Sequence, residues 1–169
     1  MIDHSNPLRL IVYWAGGLAI AGRKPVDAES TVNLSGVKVV VVDDNEPMCR
    51  ALVLVLEGAG CDVVAAPDGF TALARIADHR PDIVFLDVTL PRLDGFQVCA
   101  ILKQNQKFSA IPVIMFSAIA SLSERARARV VGADFFLPKP LSREEIQAVI
   151  DRFVSPTGFS KNMLSAHGG

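Results

Sequence analysis

Five short apolar runs alternate with five amphipathic segments between Gly36 and Val154, and this alternation constrains the fold more than any other feature. The first run, at residues 37–42, reads VKVVVV, and the third, at residues 82–86, reads DIVFL. β-Branched residues favour strands, and apolar residues at helical spacing favour helices that bury one face. The pattern therefore predicts an α/β domain with a parallel sheet whose strands are buried on both faces.

The composition suits a folded domain and argues against one class of partner. Of the 169 residues, 50% are hydrophobic and 21% are charged, which is enough apolar material for a core. Lys and Arg total 17 against 18 Asp and Glu, for a formal net charge of −1. No basic excess is present to neutralise a phosphate backbone, so we predict no direct nucleic-acid binding.

The three cysteines, Cys49, Cys61 and Cys99, are an odd number and contain no CxxC pair. No histidine stands at ligand spacing from them, so we expect neither a disulfide framework nor a zinc site. Each lies in an apolar stretch and is interpreted as a small buried hydrophobe. This usage is typical of a reducing, cytoplasmic compartment.

Residues 1–35 and 155–169 lie outside the alternation. The stretch Leu10–Gly22 is apolar and imitates a signal peptide, but it is shorter than the roughly 20 residues of a membrane-spanning helix. We predict a weakly structured extension or linker over 1–35, with a signal-like segment or a membrane-surface anchor as alternatives. Residues 155–169 would form a flexible tail, and 36–154 the folded domain, with no membrane span.

Polar residues follow four of the five predicted strands where those strands end. Asp43 and Asp44 close the first strand, Asp87 the third and Ser117 the fourth, and Lys139 follows the fifth. Because the carboxyl ends of parallel strands share one edge, these side chains should converge in one cleft. Clustered carboxylates repel one another unless a cation lies among them, and oxygen ligands suit Mg²⁺. A lysine and a hydroxyl nearby suit a transferring phosphoryl group.

The segments VVVDDN, FLDVTLPRLDG, VIMFSA and LPKP occur in this order and resemble the receiver domain of two-component response regulators. The likeness is to a stand-alone, chemotaxis-regulator-like receiver and covers residues 36–154. It implies a flavodoxin-like (βα)5 fold, a doubly wound five-stranded parallel sheet with strand order 2-1-3-4-5.

The resemblance implies the phosphoacceptor and a Mg²⁺ site. Asp87 would be the carboxylate nucleophile that forms an acyl phosphate. Asp44 and Asp87, with the backbone carbonyl of Val88, would hold Mg²⁺. Asp43 would belong to the metal site mainly through a coordinated water.

The resemblance also implies a switch beside the acceptor. Lys139 would pair with Asp87 at rest and with the phosphoryl group afterwards. Ser117 would hydrogen-bond a phosphoryl oxygen and draw its loop inward, and Phe136 would be the rotameric switch residue. The peptide bond from Lys139 to Pro140 would be cis.

Four positions depart from, or tune, the commonest pattern of that family. Phe136 replaces a frequent Tyr and lacks the hydroxyl for an outer hydrogen bond, and Ser117 replaces a frequent Thr. Thr89 and Ile119 flank the approach of a water that would attack the acyl phosphate. Ile119 offers no hydrogen bond to orient that water, so we predict slow self-dephosphorylation.

Arg125, Arg127 and Arg129 alternate along the predicted fourth helix. At this spacing they cannot form one stripe. We interpret them as a solvated face, with contact to a protein partner as the alternative, since family members present this helix to partners.

The predicted function is that of a single-domain response regulator and not of an enzyme. Phosphoryl transfer to Asp87 from a sensor histidine kinase or a histidine phosphotransfer protein would change affinity for a downstream protein. That partner would bind the face of helix 4, strand 5 and helix 5. The 15 residues of the tail are too few for an output domain.

Three other functions are alternatives to a single-domain response regulator. One is a phosphorelay intermediate that passes phosphate to a histidine phosphotransfer protein. Another is a phosphate-blind docking module, disfavoured because no residue of the constellation is missing. An aspartyl-phosphate phosphatase would carry a second Asp where this chain has Thr89.

Overall fold

The computed structural model describes residues 34–154, and the predicted fold class is confirmed. Five parallel strands form one sheet in the order β2-β1-β3-β4-β5. The chain alternates strictly between strand and helix, with the following bounds: β1 Lys38–Val42, α1 Glu46–Gly58, β2 Asp62–Ala66, α2 Gly69–His79, β3 Ile83–Asp87, α3 Gly95–Gln104, β4 Val113–Ser117, α4 Leu122–Val130, β5 Phe135–Pro138 and α5 Arg143–Phe153.

The direction of the chain across the sheet reverses after β2. The connection from β1 runs outward to the edge strand β2, and the later connections run towards β5. Because such crossovers are right-handed, the reversal places α1 on one face and α2, α3 and α4 on the other. The reversal also creates a crevice at the carboxyl ends of β1 and β3, where ligands bind in open sheets of this kind.

The register of the three neighbouring strands brings their carboxyl ends to the same level. Val42 pairs with Leu86, and Asp87 pairs with Phe116. The chain positions that follow β1, β3 and β4 therefore lie side by side along one edge. Side chains selected from very different parts of the sequence can meet there.

Burial of the strands agrees with the prediction except at β2, which forms one of the two edges of the sheet. All five residues of β3 and all five of β4 are buried. β2 has one exposed residue, three of intermediate burial and one buried residue. The expectation of burial on both faces was therefore wrong for β2, which has only one neighbouring strand, whereas β5 at the other edge has three of its four residues buried.

Each helix begins behind a side chain that caps it. Asn45, Asp68, Asp94, Ser121 and Ser142 each accept a hydrogen bond from a backbone N–H of the first turn. These caps satisfy donors that have no partner inside a helix. Because the caps lie next to the strand ends, they also hold in place the points where the loops around the crevice join the helices.

The three cysteines are free thiols and all are buried, as expected. Burial raises the pKa of Cys61, and burial with the charge of Asp43 raises that of Cys49. Burial also raises the pKa of Cys99, to about 12. These directions fit core packing and not metal ligation, which requires a thiolate.

The predicted extension and tail lie outside the described residues, except for Leu34 and Ser35 at the start. Leu34 is buried, and its N–H donates to the Ala59 carbonyl oxygen at 3.0 Å. Within the described range, no helix combines the length and the apolar character needed to cross a membrane.

Candidate functional site

Three carboxylates meet at the carboxyl ends of β1 and β3. One oxygen from each of Asp43, Asp44 and Asp87 can be chosen so that all lie within 4.8 Å of one another. Asp43 and Asp87 are 2% and 3% exposed, whereas Asp44 is open to solvent. Buried carboxylates at this spacing repel each other, so the cluster requires a compensating positive charge.

Lys139 supplies one positive charge from the far side of the crevice. Its Nζ donates to Asp43 Oδ2 at 2.9 Å and lies 3.2 Å from Asp87 Oδ2. Burial lowers the pKa of Lys139, but the hydrogen bond to Asp43 and the charges of both carboxylates outweigh it and raise that pKa. The ammonium therefore stays charged, and two carboxylates share it.

The charge of Asp87 is only partly compensated. Burial raises its pKa, and the negative charge of Asp43 adds to that effect. The charge and hydrogen bond of Lys139 and the backbone N–H of Thr89 act in the opposite direction, and the net shift is upward. The carboxylate is thus less stable here than in water, and a further cation would relieve it.

The donor set fits Mg²⁺. The three side chains offer only oxygen, the ligand type that hard divalent cations prefer, and the exposed position of Asp44 leaves the cluster open to solvent. Asp43 already uses both oxygens: Oδ1 accepts from the Asn45 N–H at 2.9 Å, and Oδ2 accepts from Lys139. Asp87 is also engaged, by Lys139 and by the Thr89 N–H, so the exposed Asp44 is the freest of the three.

Ser117 ends β4, which pairs with β3, and is buried. Its Oγ accepts from the Ile119 N–H at 3.1 Å, and its carbonyl oxygen accepts from the Lys139 N–H at 2.8 Å. The backbone bond links the end of β4 to the residue that carries the ammonium. In this structure the hydroxyl is committed to its own loop.

Phe136 on β5 is 2% exposed, so the ring packs inward. The Arg125 guanidinium carbon lies 5.3 Å from the centre of this ring, and Arg125 Nε donates to the Ala120 carbonyl oxygen at 3.4 Å. The peptide bond between Lys139 and Pro140 is cis.

The arginines of α4 point in different directions, as their spacing predicts. Arg127 lies over the Phe96 ring at 4.2 Å and pairs with Asp94 Oδ2 at 3.5 Å. Arg125 instead lies against Phe136. The two side chains therefore join α4 to α3 on one side and to β5 on the other, and are not simply a solvated face.

Two features of the β3–α3 loop escaped the sequence reasoning. Arg92 has φ of +68°, a conformation that residues other than glycine rarely adopt. Its guanidinium pairs with Asp68 Oδ2 at 3.1 Å and lies 5.6 Å from the Phe70 ring. The proline and Asp-Gly nearby indicate a turn, but no sequence signal identifies the contacts that Arg92 makes with Asp68 and Phe70 at the start of α2.

A cavity of about 490 Å³ opens beside the acid cluster, between α1 and the end of β2. It is large enough to admit a side chain or a small molecule to the carboxylates. Its walls combine apolar residues with two arginines and three acidic residues: Asp43, Asp44, Glu46, Cys49, Arg50, Val53, Ala65, Ala66, Pro67 and Arg75. Arg75 is held in place by a hydrogen bond to the Ala65 carbonyl oxygen.

Thr89 and Ile119 are both exposed, Ile119 to 69%. Each follows its strand-end residue, Asp87 or Ser117, by two positions. Their side chains are therefore available to solvent near the carboxyl edge of the sheet.

Comparison with known proteins points to one family. The family model of the response regulator receiver domain matches residues 39–151. The protein PilG of Pseudomonas aeruginosa is 47% identical over 119 residues, which cover 70% of this chain and 88% of PilG. The chain spans about half the length, 48%, of several mycobacterial response regulators.

Solved structures share the fold. Chemotaxis protein CheY4 of Vibrio cholerae matches with a TM-score of 0.68 and 28% identity, covering 71% of this chain and 100% of CheY4. The receiver domain of the sensor histidine kinase PA1611 of P. aeruginosa matches with a TM-score of 0.66 and 26% identity, covering 70% and 98%. That structure holds a magnesium ion in its active-site cleft.

Proposed function

The chain belongs to the response regulator receiver domain family of two-component signalling proteins, and from this premise we propose that it acts as a single-domain response regulator. Phosphorylation of Asp87 would alter its affinity for a protein partner. The observation that carries this proposal is the buried Asp87 carboxylate, which shares one ammonium with Asp43 and has a raised pKa.

Asp87 would act as the nucleophile. One carboxylate oxygen attacks the phosphorus of a phosphohistidine, the P–N bond breaks, and the imidazole leaves with the bonding electrons. The product is an acyl phosphate on Asp87. Lys139 is placed to turn its ammonium from the carboxylates to a phosphoryl oxygen, because it already lies 3.2 Å from Asp87.

Asp44, Asp87 and the Val88 carbonyl would hold Mg²⁺, with Asp43 acting through a water. When bound, the ion supplies positive charge to the phosphoryl oxygens and orients them. The hydrogen bonds that occupy both oxygens of Asp43 support its indirect role. The exposure of Asp44 supports a metal that keeps several waters.

Ser117 would carry the signal away from the acceptor. Its hydroxyl would exchange the Ile119 N–H for a phosphoryl oxygen, and the loop before α4 would follow. Phe136 would be the switch residue, and in this structure its ring is buried. A change at Phe136 would reach α4 through Arg125, whose guanidinium lies over that ring.

The face of α4, β5 and α5 would bind the partner. Leu122 and Val130 on α4 are 87% and 86% exposed, which gives this face apolar anchors without a partner among the described residues. The phosphoryl donor would be a sensor histidine kinase or a histidine phosphotransfer protein. Because those donors work in the cytoplasm, we assign the chain to that compartment.

The proposal is tested by intact-mass measurement after incubation with Mg²⁺ and acetyl phosphate. A single phosphoryl adduct is expected on the full chain, absent without Mg²⁺ and absent from Asp87→Asn. Asp82→Asn is the matched control, since Asp82 is exposed and lies at the opposite end of β3. The absence of an adduct from the folded chain would refute the phosphoacceptor and favour a docking module.

The lifetime of the adduct tests the predicted slow self-dephosphorylation. We expect Ile119→Glu to shorten the lifetime by about tenfold or more, because a carboxylate there can orient a water. Ile119→Ala should leave it nearly unchanged. Equal lifetimes for the native chain and Ile119→Glu would show that this position does not control hydrolysis.

A further inference from the structure

Gly95, the first residue of α3, touches the backbone of the proposed acceptor. A Cβ atom at this position would lie 2.1 Å from the Asp87 carbonyl oxygen and 2.9 Å from Val88 Cα. Both distances are shorter than real Cβ contacts allow. Only glycine lets the start of α3 approach the end of β3 this closely.

The same residue makes a hydrogen bond to a proposed metal ligand. The Gly95 N–H donates to the Val88 carbonyl oxygen at 2.9 Å. A carbonyl oxygen has two lone pairs, so one can accept from Gly95 while the other remains available to a cation. The bond fixes the direction in which the carbonyl points.

The other peptide groups of this short segment are also held. The Val88 N–H donates to the Phe116 carbonyl oxygen at 3.0 Å, and the Thr89 N–H hydrogen-bonds Asp87. The Gly95 contacts complete the set, because they hold the Val88 carbonyl and limit movement of the Asp87 backbone. The positions of two proposed Mg²⁺ ligands, Asp87 and the Val88 carbonyl, thus depend on how the start of α3 packs against the end of β3.

We propose that Gly95 is a positioning residue of the metal site, which orients the Val88 carbonyl and holds Asp87 in place for Mg²⁺. This inference rests on the proposed function. It assigns to Gly95 a role beyond helix packing: the hydrogen bond acts on the ligand itself, as outer contacts do in other metal sites.

Gly69, the first residue of α2, provides a matched comparison. A Cβ there would lie 2.6 Å from the Leu93 carbonyl oxygen and 2.8 Å from Val98 Cγ2. The site is therefore crowded in a similar way, also at a helix start. Its neighbours, Leu93 and Val98, lie beside Gly95 on the β3–α3 loop and α3 but outside the Asp87–Val88 segment. Gly69→Ala therefore crowds α3 without direct contact with the ligands, and it separates crowding of the helix from contact with Asp87 and Val88.

The experiment measures Mg²⁺ affinity by calorimetry on the full chain and on Gly95→Ala and Gly69→Ala. All three are compared at a temperature where circular dichroism shows each of them folded. We expect Gly95→Ala to bind Mg²⁺ about 10- to 100-fold more weakly, the usual effect of losing an outer contact of a metal ligand. Gly69→Ala should stay within about twofold of the native chain. Equal affinities of the two variants would overturn the inference.

A second variant removes the donor without adding a side chain. Replacing the peptide bond between Asp94 and Gly95 by an ester deletes the Gly95 N–H and leaves the close approach intact. We expect this ester variant to bind Mg²⁺ more weakly than the native chain. If Gly95→Ala does not fold, the ester variant alone tests whether the Gly95 N–H positions the Val88 carbonyl. Unchanged binding would refute the role of the hydrogen bond.

The outcomes also separate this inference from the function on which it rests. Mg²⁺ binding by the native chain and equally by both alanine variants refutes the positioning role alone. A folded native chain that binds no Mg²⁺ refutes the proposed metal site and the positioning role with it.

Discussion

Two partly buried lysines lie at opposite ends of the sheet and have different surroundings. Lys103, near the amino ends of the strands, donates to Asp134 Oδ2 at 2.6 Å and to the carbonyl oxygens of Ile111 and Ser109 at 2.7 and 3.2 Å. Asp134 Oδ2 also accepts from the Val113 N–H at 2.8 Å. One ammonium meets one carboxylate, and all three of its donors are used.

Lys139, at the carboxyl ends, is shared by Asp43 and Asp87, and Asp44 lies close to both. Three carboxylates face one ammonium, so the second cluster has an excess of negative charge. The first cluster satisfies its own charges and hydrogen bonds and stabilises the fold. The cluster around Lys139 keeps an uncompensated negative charge that a bound cation could neutralise, which is typical of a binding site.

The largest stability effect is expected from breaking the balanced cluster. Lys103→Met should lower the free energy of unfolding by about 3 kcal/mol, because Asp134 and two carbonyls lose their donor. Because Asp134 is about a third exposed, the expected loss is at the lower end of the roughly 3 to 5 kcal/mol that breaking a buried ion pair costs. Urea denaturation measures it, with the acetyl phosphate reaction at low temperature as the control for the site. A loss below about 1 kcal/mol would show that this pair is not a structural anchor.

Adding Mg²⁺ should have a comparable effect that depends on the unbalanced cluster. At 100 times the dissociation constant, Mg²⁺ should stabilise the native chain by about 2.7 kcal/mol. Thermal unfolding with and without EDTA measures this gain. Lys103→Met should keep it and Asp87→Asn should lose most of it. Equal gains in Lys103→Met and Asp87→Asn would contradict the comparison.

Without metal, Asp87→Asn should stabilise the protein, by about 1 kcal/mol at neutral pH. The pKa of Asp87 is raised from 3.8 by burial and by Asp43. An acidic group whose pKa is higher in the folded state than in the unfolded state contributes stability at pH values below its unfolded-state pKa. That stability is lost as the pH rises through its folded-state pKa. The advantage of Asn should therefore vanish below about pH 3.8 and grow towards neutrality.

Thermal unfolding between pH 3.5 and 7.5 in EDTA checks this sign. Asp134→Asn is the matched control, since it removes the partner of Lys103 and should destabilise at neutral pH. Destabilisation by Asp87→Asn at pH 7 would show that the Lys139 ammonium alone compensates the negative charge of the three carboxylates.

The smallest effect on metal-free stability is expected at the exposed member of the cluster. Asp44→Asn should change the free energy of unfolding by no more than about 0.5 kcal/mol in EDTA, because the side chain is already solvated. The stabilisation by Mg²⁺ should nevertheless fall. Calorimetric titration on this variant and on Asp62→Asn, an exposed control on β2, measures the difference. An unchanged Mg²⁺ affinity would remove Asp44 from the site.

Local patterns in the sequence predict the frame of the molecule well. β-Branched runs and helical spacing predict the ten elements. Because the carboxyl ends of parallel strands lie at one edge of a sheet, the sequence also predicts that the residues after β1, β3, β4 and β5 share that edge. Boundaries shift by one or two residues: the runs at 37–42 and 82–86 begin one residue before β1 and β3, and the apolar run IPVIMF at 111–116, the predicted fourth strand, begins two residues before β4. Pro112 has no N–H for the ladder, so pairing starts after it.

Contacts between distant residues are what the sequence does not reveal. Lys103 and Asp134 are 31 positions apart, and nothing in their local pattern marks them as a pair. The sharing of Lys139 between two carboxylates and the seating of Gly95 on Asp87 depend on strand register and helix approach. The residue types at the site could be predicted from the sequence, but their balance of charge required the structure.

The chemistry of Cys49, which lines the cavity beside the acid cluster, has a consequence for oxidative stress. Burial and the charge of Asp43 raise its pKa, so the thiol stays protonated at neutral pH. Peroxide reacts with thiolates, and a protonated sulfur is a poor substrate for sulfenic acid formation. Burial and the Asp43 carboxylate therefore keep this thiol in the form that peroxide oxidises slowly.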